Sequence, residues 1–364
     1  MRRYVFGGFV VINIGKLSWI INNACNLRCI HCYPDSGIET KKAFEDNDFK
    51  KIRENLQGIH FSRVFLSGGE PILDKNFYRY LEIALEISDD VFICSNGTLL
   101  TDKKLAALVR SGVKGVVLSL QALDPKLAET IYGNPKVPEL VFDAIDRVKD
   151  HGLSLGVEMT IMKCNMHIVD ELITKLSERN VDFVSFKRLL PVGRGASEEI
   201  CVSQEEQYAT LKKIYRWQIE HPEIRFNVHD PLYGTILYDS FYELTNDEAI
   251  IHWMKSFACR AGTKWIGIDP DGNVSPCPIL LYKDLLVGNI LDTPIDQILN
   301  ESPIVKKFKD AASISSHSCK YGSYCLGCRA TAIAKANDIF AKDPMCIHSE
   351  GVCPITELCN GENI

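Results

Sequence analysis

Alternating strand and helix patterns run from Leu17 to about residue 220, and they constrain the fold of this chain more than any other feature of its sequence. Six short apolar runs have the length of buried strands, and each is followed by a segment with helical spacing of its apolar residues. The strand candidates are Leu17–Asn22, Arg63–Ser67, Val91–Ser95, Val116–Leu120, Leu155–Ile161 and Val181–Lys187. Apolar strands that alternate with helices predict a parallel sheet covered by helices. Periodicity alone leaves a partial barrel and a doubly wound open sheet as alternatives, because six units are too few for a closed barrel.

Local signals place several of the helices. Thr101 is predicted to cap a helix that Gly112 ends, and Pro138 to open another that Gly152 closes. Asp74 is predicted to cap the helix that follows the second strand. These signals support the βα interpretation, because each predicted helix lies between two predicted strands.

The loop after the first strand carries three cysteines within eight residues. Residues 25–32 read CNLRCIHC, which places Cys25, Cys29 and Cys32 on one tight loop. Three thiolates can hold three corners of a [4Fe–4S] cube and leave the fourth iron open to a substrate or cosubstrate. A structural zinc site is the alternative, but its one local candidate for a fourth ligand, His31, directly precedes Cys32 and would strain a shared tetrahedron. A disulfide framework is not expected in a long chain without a secretory signal.

Bulk properties set the wider limits. A length of 364 residues predicts one large domain plus a smaller one. We predict a hairpin over residues 1–16, a barrel over 17–220, a bridge over 221–256 and a cysteine-rich domain over 257–364. The net charge of −6 argues against a broad nucleic-acid footprint, and no apolar run is long enough to cross a membrane. The 14 cysteines cluster near both ends of the chain, which predicts metal ligation in a reducing cytoplasm.

The spacing of Cys25, Cys29 and Cys32 resembles the signature of the radical S-adenosylmethionine (SAM) enzymes. In that family the open iron of a [4Fe–4S] cluster chelates the amino and carboxylate groups of SAM. One electron from the cluster then cleaves SAM and yields a 5′-deoxyadenosyl radical. The resemblance covers about residues 16–350, and it implies a partial (βα)6 TIM-like barrel with SAM and the cluster as cofactors.

Polar residues follow several predicted strands, at the end where parallel α/β folds form their sites. Residues 67–71 (SGGEP) resemble the GGE motif that binds the SAM amino group in the family, although a glycine turn with a helix-capping glutamate is the alternative. Residues 95–98 (SNGT) are similar to segments that contact the SAM ribose and carboxylate, and Asn-Gly is also a common turn. The cofactor-binding residues that we predict are His31, Gly68, Gly69, Glu70, Ser95, Asn96, Ser119, Glu158 and Arg188.

Two of these residues have an open alternative. Glu158 either contacts the SAM ribose or the substrate, or pairs with Lys187 or Arg188 in the barrel lumen, because a charged residue on an apolar strand needs a ligand or a partner. His31 occupies a position that is often aromatic in the family, where the ring packs by the adenine; the alternative is a solvent-facing histidine. Residues 188–195 (RLLPVGRG) resemble a family segment that turns under the SAM site, with Arg194 as a structural residue.

The bridge and the C-terminal part carry weaker or more divergent signals. In the bridge, His229, Asp230 and Tyr233 are possible substrate contacts, but a plain surface loop is the favoured interpretation. The C-terminal part resembles the SPASM extension of radical SAM enzymes, in which seven cysteines hold up to two auxiliary [4Fe–4S] clusters. Its cysteines are Cys259, Cys277, Cys319, Cys325, Cys328, Cys346, Cys353 and Cys359. Asp271-Gly272, between the first two, predicts a hairpin turn.

The ligand set of this extension stays open, because the sequence departs from the family pattern. Ser316 stands where the extension usually has a cysteine, and Cys325 and Cys328 have two residues between them where three are usual. A single cluster would use Cys259, Cys277, Cys325 and Cys328. The favoured alternative has two clusters, since the cysteines outnumber the ligands that one needs. An inner cluster would then use Cys259, Cys277 and Cys328, and an outer one Cys319, Cys325, Cys346 and either Cys353 or Cys359. A structural zinc module is the remaining alternative, because thiolates suit both metals.

The resemblance implies a radical SAM enzyme of the SPASM subfamily, with a flavodoxin or ferredoxin as reductant. The first predicted substrate is a peptide or protein side chain that is crosslinked, epimerised or oxidised during maturation. Since the first barrel strand begins almost at once, a partner protein or the barrel mouth is expected to recognise that peptide. The second is a small molecule, such as a tetrapyrrole whose side chain is oxidised in the haem pathway. A non-catalytic iron–sulfur electron carrier is the third possibility, and the predicted SAM-binding loops argue against it.

Overall fold

The described part of the chain comprises residues 2–6, 9–37, 44–241, 247–283, 285–313, 319 and 321–348 of a computed structural model. Its strands are β1 (Arg2–Phe6), β2 (Phe9–Ile20), β3 (Ile59–Ser67), β4 (Val91–Ser95), β5 (Gly115–Ser119), β6 (Ser154–Ile161), β7 (Phe183–Arg188), β8 (Phe226–His229), β9 (Trp265–Ile268), β10 (Asn273–Ser275) and β11 (Gly288–Asn289). Its α-helices are α1 (Asp46–Asn55), α2 (Phe77–Glu86), α3 (Asp102–Ser111), α4 (Pro125–Tyr132), α5 (Val137–Asp150), α6 (Val169–Ser177), α7 (Gln204–Glu220), α8 (Leu232–Phe241), α9 (Glu248–Lys255), α10 (Ile295–Glu301), α11 (Pro303–Ser313), α12 (Gly322–Cys325) and α13 (Arg329–Ala336). No helix among these residues is long and apolar enough to cross a membrane.

A parallel sheet forms the barrel wall. Strands β2 to β8 pair with one another in chain order, and β9 pairs in parallel with the other edge of β2. A doubly wound sheet would reverse its strand order at a switch point, so the partial (βα)6 TIM-like barrel is the correct alternative. Within the described residues the path of paired strands ends at β8 on one side. The rings of His229 in β8 and Trp265 in β9 are in contact, with centroids 5.2 Å apart, but the two strands are not paired. The barrel is therefore open between β8 and β9.

Most of the predicted helix boundaries are confirmed. The Thr101 hydroxyl accepts a hydrogen bond from the Lys104 amide at 3.4 Å, and Gly112 ends α3 in the left-handed region with φ +85°. Asp74 is not the cap of α2, because that helix begins at Phe77 and its cap position is Asn76. The Asp74 carboxylate instead accepts a hydrogen bond from the Asn76 amide at 2.7 Å.

The interpretation of His229, Asp230 and Tyr233 as surface-loop residues is wrong. The bridge over residues 221–256 contains β8 and the helices α8 and α9, and β8 extends the parallel sheet beyond the six predicted strands. Asp230 and Tyr233 are buried, with 1% and 0% of their surfaces exposed. At the other end of the sheet, the predicted boundary at residue 16 falls inside β2, so the N-terminal hairpin and the first barrel strand share one continuous strand.

A buried ion network joins the barrel to the C-terminal part. The Arg188 guanidinium, at the end of β7, donates to both carboxylate oxygens of Asp230 and, at 2.7 Å, to Asp343. All three side chains are at most 3% exposed. Burial alone would lower the pKa of Arg188, but the two carboxylates raise it well above its usual range. Asp343 also accepts a hydrogen bond from the Cys328 amide at 2.8 Å, so the network fixes a cysteine of the C-terminal part to a barrel strand.

Replacement of Arg188 by methionine should destabilise the protein by about 3–5 kcal/mol, because it leaves two carboxylates buried without their cation. The measurement is the free energy of urea unfolding. Arg53→Met is the matched control, since Arg53 pairs with Glu82 and Glu86 on the surface and its side chain is 38% exposed. That control should cost less than about 1 kcal/mol. Equal losses in the two variants would contradict the structural role of the Arg188 network.

Candidate functional site

The loop that carries Cys25, Cys29 and Cys32 covers the carboxyl ends of the first barrel strands. It leaves β2, and the Ile21 amide donates to the Ser67 carbonyl at 2.9 Å. Its two ends are tied together by the hydrogen bond from the Cys25 amide to the Gly37 carbonyl at 2.7 Å. The Cys32 amide donates to the Cys29 carbonyl at 3.3 Å, which closes a tight turn between these two cysteines. The backbone thus brings the three predicted ligands to one place.

The three thiols are close enough to influence one another electrostatically. Burial raises the pKa of Cys29 to about 12, and Cys32 and Cys25 add to the effect. Burial also raises the pKa of Cys25. The sulfur of Cys25 accepts from the Leu27 amide and that of Cys32 from the Ser36 amide, both at 3.4 Å. The chain supplies donors for anionic sulfur, yet burial disfavours the thiolate form of Cys25 and Cys29. The site therefore fits a cofactor whose irons compensate thiolate charge.

The two glycines of the predicted GGE motif are required by the cysteine loop itself. A side chain at Gly69 would place its Cβ 2.3 Å from the Ala24 carbonyl oxygen, and one at Gly68 would meet the Asn22 side chain at 2.4 Å. The Gly69 amide donates to the Asn22 carbonyl at 3.0 Å, and the Glu70 amide to Ala24 at 2.7 Å. These contacts explain the glycines through packing of one loop on another, which the sequence does not reveal.

Glu70 is a buried hub between two loops. It is 0% exposed, and its carboxylate accepts hydrogen bonds from the Ser95 hydroxyl at 3.0 Å and from the Asn96 amide at 2.8 Å. Its own backbone carbonyl accepts from the Asn22 side chain at 3.1 Å. Burial raises the pKa of Glu70 to about 7 against the effect of these hydrogen bonds. Glu70 therefore orients the Ser95–Asn96 segment.

Asn96 connects this hub to the cysteine loop. Its side-chain nitrogen lies 2.9 Å from the Asn26 side-chain oxygen and 3.8 Å from the Cys25 sulfur. Its oxygen accepts from the amide and the hydroxyl of Thr98. Three of the segments predicted to bind SAM, around Cys25, Glu70 and Asn96, are thus linked into one hydrogen-bonded surface. Direct contact of any of these residues with SAM stays a prediction.

The lumen below this surface holds one ion pair. Glu158 of β6 and Lys187 of β7 lie 2.7 Å apart, so the predicted ion pair of Glu158 is present, and its contact with SAM or substrate stays a prediction. Burial alone would lower the pKa of Lys187, but Glu158 and the nearby thiols of Cys94 and Cys277 raise it. Ser119 lies beside Glu158 in the strand register, and its hydroxyl accepts from the Gln121 side chain at 2.8 Å. These groups give an otherwise aromatic lumen a polar wall.

His31 is partly buried. Burial, with smaller contributions from Arg194 and Lys187, lowers the pKa of His31 to about 4, so the imidazole is neutral at physiological pH. Its Nδ1 atom is buried and has no hydrogen-bond partner within the described residues. The side chain is thus only partly open to solvent, and contact of the ring with an adenine stays a prediction. Arg188, also predicted to bind the cofactor, has its donors engaged in the ion network that joins the two parts of the chain.

The C-terminal part brings together a second group of three thiols. Cys259, Cys277 and Cys328 pack against one small apolar core that includes Phe308 and Phe340. Burial raises the pKa of Cys277 to about 12, and both other thiols add to it. These three are the predicted ligands of the inner auxiliary cluster. The predicted hairpin at Asp271-Gly272 is confirmed, since β9 and β10 pair in antiparallel orientation on either side of it.

The outer ligand set cannot be assembled in the same way. Cys353 and Cys359, one of which completes it, lie outside the described residues, while Cys319, Cys325 and Cys346 are described. Cys325 lies next to the inner group, because its carbonyl accepts from the Cys259 amide at 3.0 Å. Among the described residues, no three His, Cys, Asp or Glu side chains converge on a site for a single metal ion.

Several residues that build the site gave no sequence signal. Asn22, Asp343 and Arg329 act only through contacts with distant or irregular segments. The buried Arg329 guanidinium donates to the carbonyls of Ile339, Ala341 and Leu326 and so shapes the turn around Cys328. From sequence alone, an arginine or aspartate of this kind is predicted to be an ordinary surface residue, because its buried partners are not visible there.

Two family models match the sequence. One is described as the radical SAM superfamily and matches residues 19–185, which include the first cysteine group and the strands β3 to β6. The other is described as an iron–sulfur cluster-binding domain, SPASM, and matches residues 259–329. The first predicted thiol group therefore lies in the segment that matches the radical SAM model, and Cys259, Cys277 and Cys328 lie in the segment that matches the iron–sulfur model.

Curated proteins and solved structures are similar over most of the chain. An AdoMet-dependent heme synthase of Nitratidesulfovibrio vulgaris is 25% identical over 341 residues, which cover 91% of each protein. The mycofactocin maturase MftC of Mycolicibacterium smegmatis is 24% identical, with 92% of this chain and 83% of that protein covered. The structure of Streptococcus suis SuiB bound to S-adenosylmethionine has a TM-score of 0.73 at 18% identity and covers 93% of this chain and 78% of that one. At such identity the last comparison shows the fold alone.

Glu70→Gln should change how stability depends on pH. The folded-state pKa of Glu70 is raised from 4.5 to about 7, so its contribution to stability is present below the lower value and lost as pH rises through the higher one. Relative to the glutamine variant, the free energy of unfolding of the wild type should therefore fall by on the order of 2–3 kcal/mol between about pH 5 and pH 8. Unfolding free energies at both pH values measure this. Glu82→Gln, an exposed carboxylate on α2, is the control and should show no such dependence. Parallel pH profiles for wild type and Glu70→Gln would contradict the buried hub.

Proposed function

We propose that this chain, which belongs to the radical SAM superfamily and carries a C-terminal SPASM domain, modifies a peptide or protein side chain during maturation. Membership makes it an enzyme that uses SAM and iron–sulfur clusters. The observation that carries the proposal is that each of the two matched segments contains its own group of three neighbouring thiols. Burial raises the pKa of Tyr33 most, and Cys32 of the first group and Cys277 of the second both add to it, so this ring lies near a thiol of each group.

Cys25, Cys29 and Cys32 are proposed to hold the SAM-binding cluster. When bound, that cluster supplies the electron that cleaves SAM. The chain contributes the surface next to it: Asn96 holds Asn26 and contacts the Cys25 sulfur, and Glu70 fixes Asn96. Because Glu70 is fully engaged by Ser95 and Asn96, we infer that it shapes the SAM site from behind.

The lumen is proposed to be the substrate chamber. Phe65, Phe92, Phe183 and Cys94 form an apolar cluster within the barrel, and Trp265 stacks on Phe65 with ring centroids 6.0 Å apart. An apolar wall excludes water from a reactive carbon centre. The Glu158–Lys187 pair offers one anionic and one cationic group to a substrate that enters here.

Cys259, Cys277 and Cys328 are proposed to hold an inner auxiliary cluster, which can accept an electron or hold the substrate. A second, outer cluster on Cys319, Cys325, Cys346 and Cys353 or Cys359 is proposed because eight cysteines exceed the needs of one cluster. A flavodoxin or ferredoxin in a reducing cytoplasm is proposed as the source of electrons.

A peptide substrate is supported by the relatives' names. MftC is named a maturase, and the SuiB fold has been solved bound to its precursor peptide SuiA. A small molecule, with tetrapyrrole side-chain oxidation as the leading case, is the second candidate, because heme synthases match the chain with similar coverage.

Incubation of the reduced enzyme with SAM and either a precursor peptide encoded beside its gene or an iron porphyrin separates the two candidates. A mass change in the peptide supports the first, and a mass change in the porphyrin overturns it.

Cys29→Ala should abolish cleavage of SAM to 5′-deoxyadenosine while the C-terminal iron stays bound, because only one of the two thiol groups is broken. Chromatography of the nucleoside products and iron analysis measure both effects. Cys201→Ala is the control, since Cys201 lies outside both groups and only donates to the Ser197 carbonyl. Full cleavage activity in Cys29→Ala would refute the assignment of the first cluster.

Cys328→Ala should lose auxiliary iron and substrate turnover but keep uncoupled SAM cleavage. Anaerobic reconstitution of the wild type should give about 12 irons per chain for three [4Fe–4S] clusters, or about 8 for two. The variant should contain about 4 fewer than the wild type. Unchanged iron content would show that Cys328 is not a ligand, and zinc in place of iron would overturn the auxiliary clusters altogether.

A further inference from the structure

One arginine outside the cysteine motifs is hydrogen-bonded to the loop that carries Cys25, Cys29 and Cys32. Arg194 follows β7, and its Nε donates to the Cys29 carbonyl at 2.8 Å. Its backbone amide donates to the Cys32 carbonyl at 3.1 Å. Two of the three cysteines of the first group are therefore held through their main chain by a single residue that lies more than 160 positions later in the sequence.

The segment that carries Arg194 is shaped for this approach. Gly193 has a φ of +57°, and a Cβ there would lie 2.5 Å from the Tyr33 carbonyl and 2.7 Å from that of Cys32. Only glycine lets the backbone come this close in that conformation. The backbone contact between residues 193–194 and the cysteine loop is thus built into both segments.

The charge of Arg194 is only partly compensated. Its Nη1 pairs with Asp35, whose side chain is 61% exposed, whereas that of Arg194 is 17% exposed. Solvent screens the carboxylate more than the buried end of the arginine. The Nη2 nitrogen is buried and has no hydrogen-bond partner within the described residues. The hydrogen bond from Nε to the Cys29 carbonyl places this guanidinium beside the loop that carries the first thiol group. A partly compensated positive charge therefore lies next to that group.

We propose that Arg194 is a positioning residue that sets the reduction potential of the cluster on Cys25, Cys29 and Cys32, and that Asp35 moderates its effect. The inference rests on the proposed function, because it assumes that cluster. Reduction adds one electron, and hence one negative charge, from a one-electron donor. A nearby cation stabilises the reduced form, and hydrogen bonds to cluster sulfur act in the same direction. The arginine thus makes the first cluster easier to reduce than its thiol ligands alone would.

Three variants separate charge from scaffolding. Arg194→Gln removes the charge and should lower the ratio of reduced to oxidised cluster about tenfold at a fixed solution potential, which corresponds to about 59 mV for one electron. Arg194→Lys keeps the charge but loses the planar fork, and its ratio should stay within about threefold of wild type. Asp35→Asn removes the moderating carboxylate and should raise the ratio about threefold. Asp35 is exposed, so this variant tests the proposal even where a change at Arg194 prevents folding.

The measurement is an EPR-monitored redox titration of the intact, reconstituted enzyme. The first cluster is identified as the signal that changes when SAM is added. Opposite shifts in Arg194→Gln and Asp35→Asn, with Arg194→Lys near wild type, support the proposal. Equal shifts in both Arg194 variants, or a ratio in Asp35→Asn that is unchanged or lower, overturn it and leave the proposed function standing. A wild type without a SAM-responsive signal overturns both.

Discussion

Three neighbouring thiols are partly buried on one short loop, and the surrounding structure is built to hold them there. Burial disfavours ionisation of Cys25 and Cys29, and neighbouring thiols of the same loop add to the penalty. The chain keeps this group in place by fixing the backbone around it. Hydrogen bonds bind the loop to Ser67 at its start, to Gly69 and Glu70 at its base, and to Arg194 after β7. The irons of the proposed cluster would compensate the charge of the thiolates.

The same logic organises the C-terminal part. Cys259, Cys277 and Cys328 line a small apolar core, and Cys328 is fixed through Asp343 to Arg188. Arg188 ends β7 and Arg194 follows it, so one short stretch of chain is linked to both thiol groups. The buried pairs of Arg188 are costly to break, because loss of one partner would leave the others buried and unpaired.

Local sequence signals predicted much of the fold. The alternation of apolar strands and helices, the cap at Thr101 and the turn at Gly272 depend on neighbouring residues, and each is confirmed. The sequence missed β8 and the short helix α4. Most of all it missed contacts between distant residues. Arg188 pairs with Asp343 across 155 positions, and Gly69 is required by Ala24. No periodicity encodes such pairs. The family resemblance predicted which cysteines are ligands, but it could not show that Glu70 of the GGE motif is buried and bonded to Ser95 and Asn96.

The proposed chemistry requires that the three thiols of the first loop hold a cluster whose open iron takes SAM. Pulsed EPR of the reduced protein with nitrogen-labelled SAM measures this contact. We expect a hyperfine coupling between the cluster and the labelled amino group, which requires the amino nitrogen to be bonded to iron. A reduced cluster that shows no coupling to SAM, or a first site filled with zinc, would contradict it.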